Sequence, residues 1–245
     1  MTTLNREISS LRSFESVNAE PIDVLFAEHR ITEQALNCLE RMAERWSSPA
    51  GGDDLDWTAV HEAIVFFQTF VEDWHFRREE AYFAASGVRL ESIEIHESGK
   101  CTFHDHQRCA THLRGLAEAV EFIASRSTGG RPDHLDPATP AREDDQQALR
   151  AEEQALQAEE IAAARRRFGE HARAYVDILL KHIENEEDFM YPIIVRDAPP
   201  QTKRAAAAVF RQVSRETIDA EKLNECLAAV GNLVERFVGS AKDST

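Results

Sequence analysis

Cysteine is scarce: the 245-residue chain has four, at positions 38, 101, 109 and 226, and no C-x-x-C pair. That excludes a zinc knuckle or a disulfide framework and points to free thiols in a reducing compartment. Glycine (10) and proline (8) are equally thin, too few for a loop-rich or all-β chain. Positive charge is in deficit, with 28 Lys and Arg against 44 Asp and Glu and a formal charge of −16. A surface that acidic repels phosphate backbones and anionic headgroups, so neither a nucleic acid nor a membrane surface is an expected partner. No apolar run approaches the roughly 18 residues of a membrane span, and the start MTTLNREISSLRSFESVNAEP has no basic region followed by an apolar one. The expectation is a soluble, cytoplasmic protein. What the chain does have is 42% hydrophobic residues, in a length suited to one large domain with its own core.

The apolar residues recur at helical spacing. Residues 1–21 read as a flexible N-terminal segment. A first helix opens at Pro21 and carries Leu25, Leu36, Leu39, Ala43 and Trp46 to a break at Ser47-Ser48-Pro49. A second runs between Asp53-Asp54 and Gly87 with Trp57, Val60, Ile64, Phe67, Val71 and Tyr82 on one period. A third, from about Lys100, places Phe103, Ala110, Leu113, Ala117, Val120 and Ala124 on a seam that ends near Gly129. Residues 129–145 are rich in proline and acid and read as a linker. A fourth helix, from near Gln147 to Val195, carries Ile161, Phe168, Tyr175, Ile178, Phe189 and Ile193 inward. Residues 197–245 form a helical extension of two amphipathic helices. The expected fold is all-α: an up-down-up-down four-helix bundle over 22–196 with additional C-terminal helices.

Two of these helices repeat one phrase, H-x-x-x-E-E: His75 to Glu80 in the second and His182 to Glu187 in the fourth. Four residues are about 400° of helix, so His75 with Glu79, and His182 with Glu186, share a face and can chelate one metal site. His29 continues the inward line of the first helix and His106 that of the third. Four buried imidazoles and two buried carboxylates need a compensating cation. In an up-down-up-down bundle the start of helix one, the end of two, the start of three and the end of four meet at one end, which puts all six residues in one layer. His61 and His171 fall helical turns away from that layer and read as packing residues. His104 and His112 lie on other faces, and Cys109 reads as a small core residue.

The ordered set resembles the hemerythrin-like, or HHE cation-binding, family. It is carried by FAEHRITEQAL around His29, FVEDWHFRREEAYF around His75 and Glu79, FHDHQRCATHLRGL around His106, and LLKHIENEEDFMYPI around His182 and Glu186. The resemblance implies a four-helix bundle holding two iron ions as an oxo- or hydroxo-bridged centre, with His29, His75, His106 and His182 as terminal ligands and Glu79 and Glu186 as bridging carboxylates. It departs from the oxygen-carrying pattern at Ala110, where those members place a second histidine one turn after the first. Tyr82 and Glu187 are candidates for the coordination position this leaves. The implied function is binding of, or reaction with, O2 or a related small ligand (peroxide, nitric oxide), in sensing, detoxification or iron handling. The alternative is a regulatory module that metal merely folds and whose C-terminal helices carry a protein partner.

Overall fold

A computed structural model describes residues 3–16, 19–47, 56–88, 102–127 and 143–238. Among these residues the chain is all-helical, with no strand. The helices are α1 (Thr3–Ser16), α2 (Pro21–Ser47), α3 (57–86), α4 (Thr102–Ser127), α5 (143–197), α6 (Pro200–Thr217) and α7 (Ala220–Phe237). The sequence starts and stops them by ordinary chemistry. Pro21 at the head of α2 brings a preset φ and no N–H to satisfy, and Asp23 complements the dipole of the first turn. The Asp56 carboxylate accepts from the Ala59 N–H at 3.1 Å to cap α3, and Asp219 accepts from the Lys222 N–H at 2.8 Å to cap α7.

The most extensive contact is α4 against α5, with α2 also lying along α5. The last turns of α3 pack on α6, while α7 covers α2 and the first turns of α3. Early turns of α2 and α4 come level with late turns of α3 and α5, which is where the six candidate ligands meet.

Two helices widen at that level. Residues Phe67–Phe76 of α3 and Glu186–Met190 of α5 are π-helical, so each hydrogen-bonded ring there holds one residue more and the residues beyond are turned onto a different face. This corrects the inward line expected for the fourth helix. Phe189 is 49% exposed, whereas Met190, Tyr191 and Ile194 are buried. The seam of α4 is also displaced: it runs through His106, Cys109, Leu113, Leu116 and Val120, and leaves Phe103 48% exposed in the opening turn.

The N-terminal segment differs from the flexible stretch expected over 1–21. Leu4, Ile8 and Leu11 recur at helical spacing, are buried, and seat α1 on α2. Of the linker expected over 129–145, residues 129–142 lie outside the described residues and 143–145 already belong to α5. Among the described residues no helix is long and apolar enough to cross a membrane.

Gly87 ends α3 at φ 68°, a left-handed conformation in which a Cβ crowds the backbone. The nearest atom to an added Cβ would be Thr202 Cγ2 at 3.4 Å, an ordinary contact, so the penalty for a side chain is conformational. Gly87→Ala is expected to cost about 1–2 kcal/mol, read as a lower urea midpoint at unchanged slope. An unchanged midpoint would mean that the turn relaxes.

Candidate metal centre

His29 lies on the buried face of α2 beside Leu25 and Thr32, and His106 on that of α4 beside Cys109. His75 stands near the end of the π-helical stretch of α3, with Glu79 one turn on. His182 stands in the last α-helical turn before Glu186 opens the π-helical stretch of α5. All six side chains are buried. Their donor atoms gather into two groups, His29, His75, Glu79 and Glu186, and Glu79, His106, His182 and Glu186, each within 4.8 Å. Both carboxylates belong to both groups.

His182 Nε2 lies 3.0 Å from Glu186 Oε1 and 3.7 Å from Glu79 Oε2. His106 Nε2 is 3.5 Å from Glu79 Oε2 and 3.2 Å from His182 Nε2. On the other side His29 Nε2 is 3.4 Å from Glu186 Oε2, and the His29 and His75 rings meet edge to face at 4.9 Å.

The donor set fits a metal ion. His75 Nε2 is buried without a hydrogen-bond partner, and Glu79 Oε2 and Glu186 Oε1 are buried with only imidazole Nε2 atoms facing them. Buried polar atoms left unpaired are costly, and imidazole nitrogen with carboxylate oxygen is the ligand set that transition cations take. The arrangement could hold a metal ion, with both carboxylates within reach of two neighbouring positions.

Outside the cluster, three of the four imidazoles are held from behind. The Nδ1–H of His75 donates to Glu28 Oε2 at 2.8 Å, that of His29 to Glu187 Oε1 at 2.8 Å, and that of His106 to Glu80 Oε1 at 2.7 Å. A carboxylate on Nδ1 fixes the tautomer and turns the Nε2 lone pair inward, as metal-binding imidazoles require. Glu187 thus buttresses a ring, paired also with Arg30, and is not the extra oxygen donor considered from the sequence. Glu28 carries no signal in the sequence beyond its place next to His29, and Glu80 closes the H-x-x-x-E-E phrase without a role that spacing alone assigns.

Tyr82 does not enter the cluster either. Its ring packs against Phe210 of α6 at 6.1 Å. The hydroxyl that does reach the cluster is that of Tyr191, which donates to Glu79 Oε1 at 2.7 Å and lies 3.3 Å from both His29 Nε2 and Glu186 Oε2. The widened turn at Glu186–Met190 brings it there. Phe76 closes the opposite side, stacked on His106 at 3.7 Å. Ala110, one turn past His106, is half-buried and offers no donor.

The remaining histidines and cysteines stand apart. His61 and His104 are exposed, and His112 and His171 are half-buried and paired through Nδ1 at 3.1 Å. Cys109 is buried beneath the cluster, and desolvation pushes its thiol well up, so it stays protonated. His96, His134 and Cys101 lie outside the described residues. Comparison of the chain with protein-family models, with curated proteins and with solved structures gives no match.

Charge in the cluster is settled by protons. Desolvation alone would lower the pKa of His182, but the Glu186 carboxylate, and then Glu79, outweigh it and raise it from 6.5 to about 10. His29 and His106 are raised likewise, desolvation being overcome by Glu186 and Glu187 in one case and by Glu79 and Glu80 in the other. Desolvation wins at His75, whose pKa falls to about 3 and which stays neutral. Glu79 resists its own desolvation through hydrogen bonds from His106 and His182 and lies well below the ordinary carboxylate range.

Two consequences follow for His182. Its folded pKa is raised, so in metal-free protein its contribution to stability is full below about pH 6.5 and is lost as pH rises through about 10. A cation that takes its Nε2 must displace a proton, so affinity should climb about tenfold per pH unit between pH 6 and 8 for that one proton, with proton release in unbuffered titrations. A pH-independent affinity would show that the cation does not reach His182.

Proposed function

We propose that this chain is a hemerythrin-like non-haem di-iron protein in which α2, α3, α4 and α5 form an up-down-up-down four-helix bundle. It binds or reacts with O2 or a related small ligand such as peroxide or nitric oxide, in sensing, detoxification or iron handling. The observation that carries this reading is that two buried carboxylates, Glu79 and Glu186, are shared by two pairs of imidazoles. One cation would leave one imidazole pair unused; two cations bridged by both carboxylates employ every donor. Bound iron would supply one-electron redox chemistry and open positions for a small ligand.

The chain's own residues would do the rest. His29 and His75 would hold one ion, His106 and His182 the other, and Glu79 and Glu186 would bridge them and neutralise their charge. The Tyr191 hydroxyl keeps a proton on Glu79 Oε1 at 2.7 Å, because burial and then the charges of Glu186 and Glu79 raise its pKa well above the ordinary phenol value. It thereby places an oxygen beside the His29 and His75 pair, while Ala110 leaves the His106 and His182 pair without a fifth imidazole. That asymmetry favours ligand chemistry or sensing over reversible transport. Trp74, Phe76 and Phe83 are buried around the cluster and keep bulk water from it.

Protein purified without added metal is expected to hold about two irons per chain and to absorb in the near ultraviolet when oxidised. Azide should perturb that absorption. Glu79→Ala and Glu186→Ala should each lose at least about tenfold in iron affinity, while His112→Ala, outside the cluster, keeps the wild-type content. Stoichiometric zinc, or equal iron in all three variants, would overturn the reading. Iron that azide leaves untouched would favour the metal-folded interaction module instead.

A further inference from the structure

Behind His75 the structure continues outward through a chain of buried contacts to a helix that contributes no candidate ligand. Glu28 is fully buried, and both its oxygens are engaged. Oε2 accepts from His75 at 2.8 Å. Oε1 accepts from the Trp74 indole N–H at 3.0 Å and pairs with the Arg78 guanidinium. Arg78 is itself fully buried, and its guanidinium lies between two rings, 3.8 Å from the centroid of Trp74 and 4.5 Å from that of Phe210. Its Nη1 donates to Ser214 Oγ at 2.9 Å. The Ser214 hydroxyl spends its only proton on the Phe210 carbonyl at 2.9 Å, which leaves the oxygen free to accept from Arg78.

Phe210 and Ser214 belong to α6, whose buried face otherwise holds only Ala206 and Ala207. Packing alone does not explain the serine there, since a small apolar residue would fill the place. A buried guanidinium needs both an acceptor and an aromatic roof to stay desolvated, and α6 supplies one of each. Without them the α6 side of the guanidinium lacks its acceptor and its ring, although Glu28 and Trp74 remain on the other, and Arg78 can shift away from its present place. Glu28 would then lose the guanidinium that orients its Oε1, and the carboxylate could turn on the Trp74 N–H and slacken its hold on His75.

We propose that α6 is a positioning element of the metal centre: Phe210 and Ser214 hold Arg78, Arg78 holds Glu28, and Glu28 fixes the His75 ring. The seating of α6 therefore sets how firmly the centre grips a cation on its His75 side, and whatever displaces this C-terminal helix loosens that grip. The claim about the cation rests on the metal reading above; the claim about the imidazole does not. Phe210 and Ser214 are positioning residues, since neither touches the cluster.

The test uses the full chain as wild type, Ser214→Ala, Phe210→Ala and Ser214→Thr, the last keeping the hydroxyl. In metal-free protein, nitrogen-15 shifts of the His75 ring report its tautomer. The expected result is Nδ1–H alone in wild type and Ser214→Thr, and a mixture of tautomers in the two alanine variants. Loaded anaerobically with ferrous iron and chased with an iron(II) chelator, the alanine variants should release metal about tenfold faster than wild type, and Ser214→Thr at the wild-type rate. Wild-type tautomer and release rate in both alanine variants would overturn the proposal, even if their melting temperatures fall, because α6 would then be packing only. A chain that takes no iron would sink the metal reading, and the nitrogen shifts of the metal-free protein would still decide the relay.

Discussion

Two carboxylates in a helical core, Glu79 and Glu186, set the terms for everything near them. Neither is exposed, and an ionised carboxylate in such surroundings survives only among compensating charges and donors. Without metal the donors are the His182 imidazolium, whose pKa rises to about 10, and the Tyr191 hydroxyl, while the neighbouring carboxylates also raise His29 and His106. A divalent cation would take the place of the His182 proton. Protons and a metal ion would thus compete for one set of donors, and the donor geometry would serve both.

Holding four imidazoles around that cavity requires order one layer further out. The three carboxylates behind the rings come from different places: Glu28 from α2, Glu80 from α3 and Glu187 from α5. Each joins a helix to its neighbour through an imidazole, so the centre is braced by the same contacts that fix its rings. Arg78 extends the brace to α6. The C-terminal helices are thus not a detached appendage, since at least one of them touches a residue that touches a candidate ligand's partner.

How much of this could be read from the sequence depends on whether a residue's role is set by spacing or by the neighbour it meets. His75 with Glu79 and His182 with Glu186 were legible, because four residues fix a shared face whatever surrounds them. So was the common layer, since it follows from where each residue falls along its helix. Glu28 was hidden by its adjacency to His29. Neighbours on a helix point about 100° apart, and that direction leads to His75 only once α2 and α3 are packed. Leu4, Ile8 and Leu11 carry a legible helical period inside a start whose polar composition suggests flexibility.

Tyr191 marks the other limit. Counting in steps of 3.6 from Phe168 and Tyr175 leads to Phe189 and Ile193 and passes over Tyr191, yet Phe189 faces solvent and the tyrosine faces the cluster. The discrepancy is the extra residue per ring in Glu186–Met190, a rare geometry that no propensity in EEDFM announces. Both π-helical stretches include a candidate ligand, and a widened turn has a use there. Glu186 already shares a face with His182 through the α-helical spacing before it, and the widened turn brings Tyr191, five residues on rather than four, back to the Glu186 carboxylate at 3.3 Å. A regular α-helix would carry position 191 past that carboxylate, and the cluster would lose the phenol oxygen that lies 3.3 Å from His29 Nε2.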